Sequence, residues 1–239
     1  MQAELDTAIK LNSRAAIEIL QVGRDQTPVV VIDDFALDIQ AVIAHASQQT
    51  FTPPSEAAYP GVRAPLPRPY IFSLLDGVFK LIYQLYRVPA QLRMQPQNFV
   101  YSLVSQTPEQ LSSRQRLPHY DSHYPYHFAL MHYLNPGPHG GTAFYRHKPT
   151  GFETISQPRR VPYIAAVQAH MAGYGEPDNA YIHDSTDHFE QIGQVAYRSN
   201  RLLIYPGFLL HSGLIDTDSD IDSNPATGRL TANLFIEFR

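Results

Sequence analysis

Alternation of apolar and polar residues with a period of two runs through most of the chain after residue 97, whereas helical periodicity is confined to a few stretches. Residues 1–26 are polar with modest helical periodicity and read as an N-terminal helix or loose arm. Val29–Ile32 is a dense β-branched run and predicts a strand, ended by Asp33 and Asp34. Asp34 or Asp38 is placed to cap a helix running through Ala46, with Ile39, Val42 and Ile43 on one face. Six prolines between residues 50 and 69 predict a loop. Tyr70–Tyr86 then predicts a helix whose apolar face is Leu74, Val78, Leu81, Ile82 and Leu85.

Strands dominate from there on. Asn98–Ser105, Leu117–Ser122 and His127–Leu134 alternate, and the proline- and glycine-rich turn Asn135–Gly141 leads into a further extended stretch, Thr142–His147. Val161–Ala172 is alanine-rich and predicts a helix; 173–192 reads as an acidic, His-containing loop or short helix. Gln194–Tyr197, Arg201–Tyr205 and Phe208–Ser212 predict short strands, Asp216–Gly228 a polar loop, and Arg229–Phe238 a closing strand. Many short antiparallel strands behind a helical lead-in imply a mainly β sandwich or barrel with flanking helices, such as a jelly roll. The expected organisation is one domain over 1–239, with 1–97 as an α/β lead-in and 98–239 as the core.

Composition narrows the chemistry. The chain has 239 residues, 44% apolar and 17% charged, enough for one well-buried globular core. A net charge of −4 gives no reason to expect nucleic acid or an anionic membrane as partner. No apolar run approaches the roughly 20 residues that span a bilayer. Met1–Asp6 lacks a signal peptide's basic and apolar segments, so a soluble, cytoplasmic protein is expected. There is no cysteine, which excludes disulfides, thiolate ligands and cysteine nucleophiles, and leaves His, Asp and Glu to hold any metal. Eleven His, fifteen Tyr and twenty Pro suit a turn-rich β fold with a polar, aromatic-lined cleft.

Two constellations carry candidate chemistry. On a strand, His119 and Asp121 point to one face and Tyr120 to the other, so the pair can reach one cation. His211, ninety residues after Asp121 and flanked by Gly207 and Gly213, is the candidate third ligand. Two imidazoles and one carboxylate form the facial triad that holds Fe(II) and leaves positions open. Equally, His119 can be a hydrogen-bonded core histidine and Asp121 a turn cap. In the closing strand, Leu230, Ala232, Leu234, Ile236 and Phe238 form an apolar face, while Arg229, Thr231, Asn233, Phe235 and Glu237 form the other. That second face either meets solvent or lines a cleft. A buried Arg229 needs an anion, and a carboxylate bound by its guanidinium and the Thr231 hydroxyl would satisfy it.

The order of these pieces resembles the prolyl-4-hydroxylase-like branch of the Fe(II)/2-oxoglutarate dioxygenase superfamily, nearest to an uncharacterised bacterial subgroup. The matching segments are Leu117–Asp121, Gly140–Tyr145, Pro206–Phe208 before Leu210–Gly213, and Gly228–Asn233. Val29–Phe35 looks like the family's entry strand. The resemblance implies a double-stranded β-helix, iron ligation by His119, Asp121 and His211, and capture of the distal carboxylate of 2-oxoglutarate by Arg229 with Thr231. Tyr101 is a candidate helper by position. Arg229 stands where prolyl hydroxylases commonly have Lys, and the loop 216–227 lengthens the spacing from His211. The implied activity is hydroxylation of an amino acid, peptidyl residue or small metabolite. Loops 50–69, 122–126 and 173–192, with Tyr124, Tyr126 and Tyr145, are candidates to line the pocket. A cupin-like metalloprotein without oxygenase activity, or a binding barrel with incidental histidines, are the competing readings; neither requires Arg229 to face the cleft.

Overall fold

The computed structural model describes residues 6–54 and 59–239. Within them the chain runs β1 (Ala16–Val22), β2 (Thr27–Asp33), α1 (Gln40–Ala46), β3 (Gly61–Pro65), α2 (Arg68–Leu85), β4 (Met94–Val104), β5 (His127–Tyr133), β6 (Thr142–His147), α3 (Gln157–Tyr174), β7 (Phe189–Val195), β8 (Leu202–Pro206), β9 (His211–Gly213) and β10 (Thr231–Phe238). A seven-stranded antiparallel sheet has the order β1-β2-β8-β5-β10-β4-β3, and a three-stranded one β7-β6-β9. The protein is mainly β. None of the described helices is long and apolar enough to cross a membrane.

The alternation of β10 sets the layers. Leu230, Ala232, Leu234, Ile236 and Phe238 are fully buried and pack with Tyr70, Leu74, Val78 and Ile82 of α2 and Val42 of α1. Each such side chain withdrawn from water contributes about 1.5–3 kcal/mol, so the helices are fixed to this outer face. The inner face carries Val29, Val31, Ala129, Tyr133, Leu203 and Tyr205, which meet Phe144 and Val195 of the smaller sheet. The two sheets therefore face one another. Helix α3 covers the far side of the smaller sheet, where Tyr163 and Val167 meet Ala143, Tyr145 and Phe189.

Several sequence expectations change. Of the span expected as a helix or loose arm, residues 1–5 lie outside the described residues and 6–26 holds strand β1, paired with β2 from Ala16↔Asp33 to Val22↔Thr27. Ile17 and Ile19 of β1 remain 57% and 42% exposed at the sheet edge, so the strand rests on backbone pairing and shows no buried period. The proline-rich span 50–69 contains β3, paired with β4, and the first turn of α2 (its 55–58 portion lies outside the described residues). The 97/98 boundary falls inside β4, and β1 to β3 occupy both ends of the same sheet that β5, β8 and β10 centre. The lead-in is thus part of the main sheet, not a support beneath it. Leu117–Ser122 forms no regular strand; it contributes one bridge, His119↔His211. Part of 173–192 joins β7 through Phe189. Asp38, not Asp34, sits at the start of α1 and accepts the Gln40 N–H at 2.8 Å.

Candidate metal centre

His211 lies on β9, which pairs with β6 so that His211 is opposite Phe144, a residue of the inter-sheet core. Its imidazole is therefore turned toward the larger sheet. Its Nδ1–H donates to the Leu209 carbonyl at 2.8 Å. Burial pushes its pKa down to about 4 against the opposing effect of that bond. A neutral ring with Nδ1 anchored presents Nε2 as a lone pair, the state a metal ligand needs.

The second imidazole is delivered by backbone bonding. His119 and His211 exchange both N–H···O=C bonds at 2.9 Å, bringing the ring centroids to 4.3 Å. Two residues on, the Asp121 N–H donates to the Gly207 carbonyl at 2.7 Å. Gly207 is needed for close approach: a Cβ there would lie 2.2 Å from Nδ1 of buried His127. The turn before β9 and the bridge beside it thus position all three groups. One ligand atom from each of His119, Asp121 and His211 falls within 4.8 Å of the others. The carboxylate stands 3.9 Å from His119 Nε2 and 3.7 Å from His211 Nε2. These separations exceed hydrogen-bond length, so the three donors converge without consuming one another's lone pairs. The His211 side chain is buried, that of Asp121 is 15% exposed and that of His119 half-exposed, which leaves one side of the cluster open.

Arg229 precedes β10 and is 2% exposed. Its Nε donates to the Gly140 carbonyl at 2.6 Å and its Nη2 to the Gly141 carbonyl at 3.0 Å. The guanidinium lies near the rings of Tyr133 and Tyr197, 5.5 and 5.8 Å from their centroids. The loop 216–227 closes this socket. Its Asp220, fully buried, accepts from His139 Nδ1 at 2.9 Å and from the Gly140 and Asp216 N–H groups at 3.0 and 2.8 Å. Burial alone would raise the Asp220 pKa, but the His139 bond, the Arg229 charge and the two amides hold it below the usual carboxylate range. Arg229 thus satisfies part of its hydrogen-bonding capacity within the protein; of five N–H donors, three remain. Thr231 is buried on the inner face, where its hydroxyl accepts from Asn233 Nδ2 at 2.9 Å.

Tyr101 is not at this site. It belongs to the outer face of the larger sheet, and its hydroxyl donates to the Val42 carbonyl at 2.9 Å. Tyr145 also points away, into the layer beneath α3. Tyr126 packs against the outer core, and Tyr124 donates to the Phe238 carbonyl at 3.1 Å. Residues that the sequence did not single out take their place. Tyr205 packs its ring edge on His211 at 4.8 Å, and burial, followed by the Asp121 charge, holds its hydroxyl firmly protonated. Arg63 and Ser102 share the inner face of the larger sheet with Thr231, and Tyr59 stacks its ring on Arg63. The one available signal was Arg63, a cation inside an apolar, proline-rich stretch, and strand periodicity gave no register for it.

The fold and this cluster define a mainly β protein of two facing sheets with a His-Asp-His constellation suited to a divalent metal. The chain belongs to DUF6445, a family of unknown function, whose profile matches residues 13–236. No curated protein matches it.

Proposed function

We propose that the protein is an Fe(II)- and 2-oxoglutarate-dependent oxygenase of the cytoplasm, built on a double-stranded β-helix, that hydroxylates an amino acid, peptidyl residue or small metabolite. The reading is carried by the convergence of His119, Asp121 and neutral, Nδ1-anchored His211 on one partly open space. Two imidazoles and a carboxylate fit Fe(II) better than Ca or Mg, which take all-oxygen shells. The absence of cysteine excludes thiolate-bound metals, while Mn, Co, Ni and Zn can occupy the same donor set in vitro.

Iron with 2-oxoglutarate supplies the oxidising chemistry when bound; the protein's residues bind, orient and exclude water. His119, Asp121 and His211 would hold the metal by one face. The three unspent Arg229 N–H donors and the Thr231 hydroxyl would take the distal carboxylate of 2-oxoglutarate, in a socket walled by Tyr133 and Tyr197. Tyr205, kept protonated, offers an O–H near both the Asp121 and Arg229 charges. The Leu209 carbonyl holds the His211 tautomer that ligation requires.

One observation favours a second reading. Because Gly140 and Gly141 already engage Arg229, the arginine has a structural role that a non-oxygenase metalloprotein of the same architecture would share. Anaerobic titration of the Fe(II)-loaded protein with 2-oxoglutarate separates the two. The oxygenase reading expects a saturating visible charge-transfer band that Asp121→Ala abolishes. Bound iron with no band would overturn it in favour of the second reading.

A further inference from the structure

A second cation faces the inter-sheet space. Across the larger sheet, Arg63 of β3 is opposite Ser102 of β4, Ser102 opposite Thr231 of β10, and Thr231 opposite Tyr133 of β5. Side chains in one such row point to one face. Tyr133 belongs to the inter-sheet core, so the row, Arg63 included, faces the candidate metal centre. The Arg63 guanidinium lies 4.6 Å from the Tyr59 ring centroid.

This corner has donors without acceptors. Among the described residues, Arg63 Nε, the Tyr59 hydroxyl and the Ser102 hydroxyl are each buried without a well-formed hydrogen bond, the two hydroxyls lying close enough to act on one another. Buried polar atoms are well paired in the great majority of cases, so Arg63 Nε beside two under-satisfied hydroxyls marks where a ligand's atoms belong. No carboxylate among the described residues forms an ion pair with Arg63, although Arg146, Arg159, Arg198, Arg201 and Arg239 all have one. The acid whose charge Arg63 feels is Asp121, and Arg63 in turn acts on both Asp121 and His119. Arg229 does not act on either in this way, but it acts on the Tyr59 hydroxyl ahead of Arg63, so Tyr59 stands between the two cations. The two cations are thus differently placed: Arg229 deep in its carbonyl socket, Arg63 on an edge strand beside the open side of the triad.

We propose that Arg63, with the Tyr59 and Ser102 hydroxyls, binds the carboxylate of the primary substrate, which is therefore a small carboxylic acid such as a free amino acid or a peptide's C-terminal residue. A guanidinium fork matches a planar carboxylate through two parallel bonds, and flanking hydroxyls complete its remaining lone pairs. The assignment of a substrate rests on the oxygenase reading; the anion site itself does not.

The test uses fluoroacetate as a minimal carboxylate, fluoroacetamide as its neutral isostere and methylphosphonate as a competing anion, read by 19F line broadening on the full-length protein. The first arm uses metal-free protein. Saturable broadening by fluoroacetate, absent with fluoroacetamide and weakened about tenfold or more by Arg63→Gln, is expected, since a charge-assisted bond of this kind is worth at least that factor. Broadening equal in wild type and Arg63→Gln, or none, overturns the site. Displacement by methylphosphonate more readily than by acetate overturns the carboxylate assignment. Tyr59→Phe, which leaves every cation in place, is expected to weaken binding less and serves if Arg63→Gln fails to fold. The second arm loads Co(II) and saturates with 2-oxoglutarate, so that the cosubstrate socket is filled. Added paramagnetic broadening places the anion beside the triad; its absence with cobalt bound overturns the substrate assignment. Failure to bind cobalt counts against the metal reading alone, and the first arm still decides Arg63.

Discussion

Replacing Asp220 with alanine tests whether the loop 216–227 is the clamp that positions Arg229. The carboxylate is fully buried and accepts three hydrogen bonds, from His139 Nδ1, Gly140 N–H and Asp216 N–H, between 2.8 and 3.0 Å. Removing it leaves those donors unpaired and takes away the nearby negative charge that Arg229 feels. Each unsatisfied buried donor costs about 1–3 kcal/mol. The three share one acceptor and can relax together, so the losses are less than additive, and we expect a total of about 3–5 kcal/mol, the range found when a buried charge loses its partner. For a chain of this size each kcal/mol lowers Tm by about 2–4 °C, which puts the drop at roughly 6–20 °C. Water has no easy route to replace the carboxylate, because Gly140 is pressed so closely against the loop that a Cβ there would overlap the Leu214 carbonyl. Urea unfolding, with the slope held common to wild type and variant, gives the free-energy difference directly. Asp220→Asn keeps one acceptor in the same shape and is expected to lose about half as much. A loss below about 1 kcal/mol for the alanine variant would refute the clamp, because it would mean that the three bonds are not buried constraints.

Tyr101→Phe removes a hydroxyl that donates to the Val42 carbonyl on the helix side of the sheet. It should cost about 1 kcal/mol of stability and leave metal and 2-oxoglutarate affinities unchanged; weakened binding of either would contradict its placement. A stacked histidine cluster under α3 predicts a pH dependence. His147 Nε2 and His188 Nε2 are 2.8 Å apart, and His170 lies on the His188 ring at 3.8 Å. Burial, with neighbouring imidazoles, lowers His147 to about 4 and His188 to about 3, so the fold holds both neutral. The unfolded chain takes up these protons first, so their stabilising contribution is complete above about pH 6.5 and is lost as pH falls from there toward 3. His188→Gln keeps a partner for His147 and should therefore be less destabilised relative to wild type at pH 5 than at pH 7.5. A stability difference constant across that range would exclude the mechanism.

The strongest local patterns are legible from sequence alone. The β-branched Val29–Ile32 run gives β2, the period-3.6 face from Leu74 to Leu85 gives α2, and the two-residue period of β10 assigns its apolar side to the helices. The His119-x-Asp121 spacing and the distant His211 likewise mark the residues that the structure draws together. What sequence could not determine depends on pairing between distant segments. Strand β1 exists because β2 offers an edge, β3 because β4 does, and both carry too little buried alternation to declare themselves. His119 and Asp121 are held not by a strand of their own but by the backbones of His211 and Gly207, 92 and 86 residues further along the chain. Tyr101 shows the same limit from the other side. Its sequence position on an alternating strand is compatible with either face, and a shift of one residue in register exchanges cleft for core. Only the tertiary pairing placed Tyr101 against α1 and set Arg63 in the row of Ser102 and Thr231, because cross-strand register is fixed by contacts that no local stretch of chain contains.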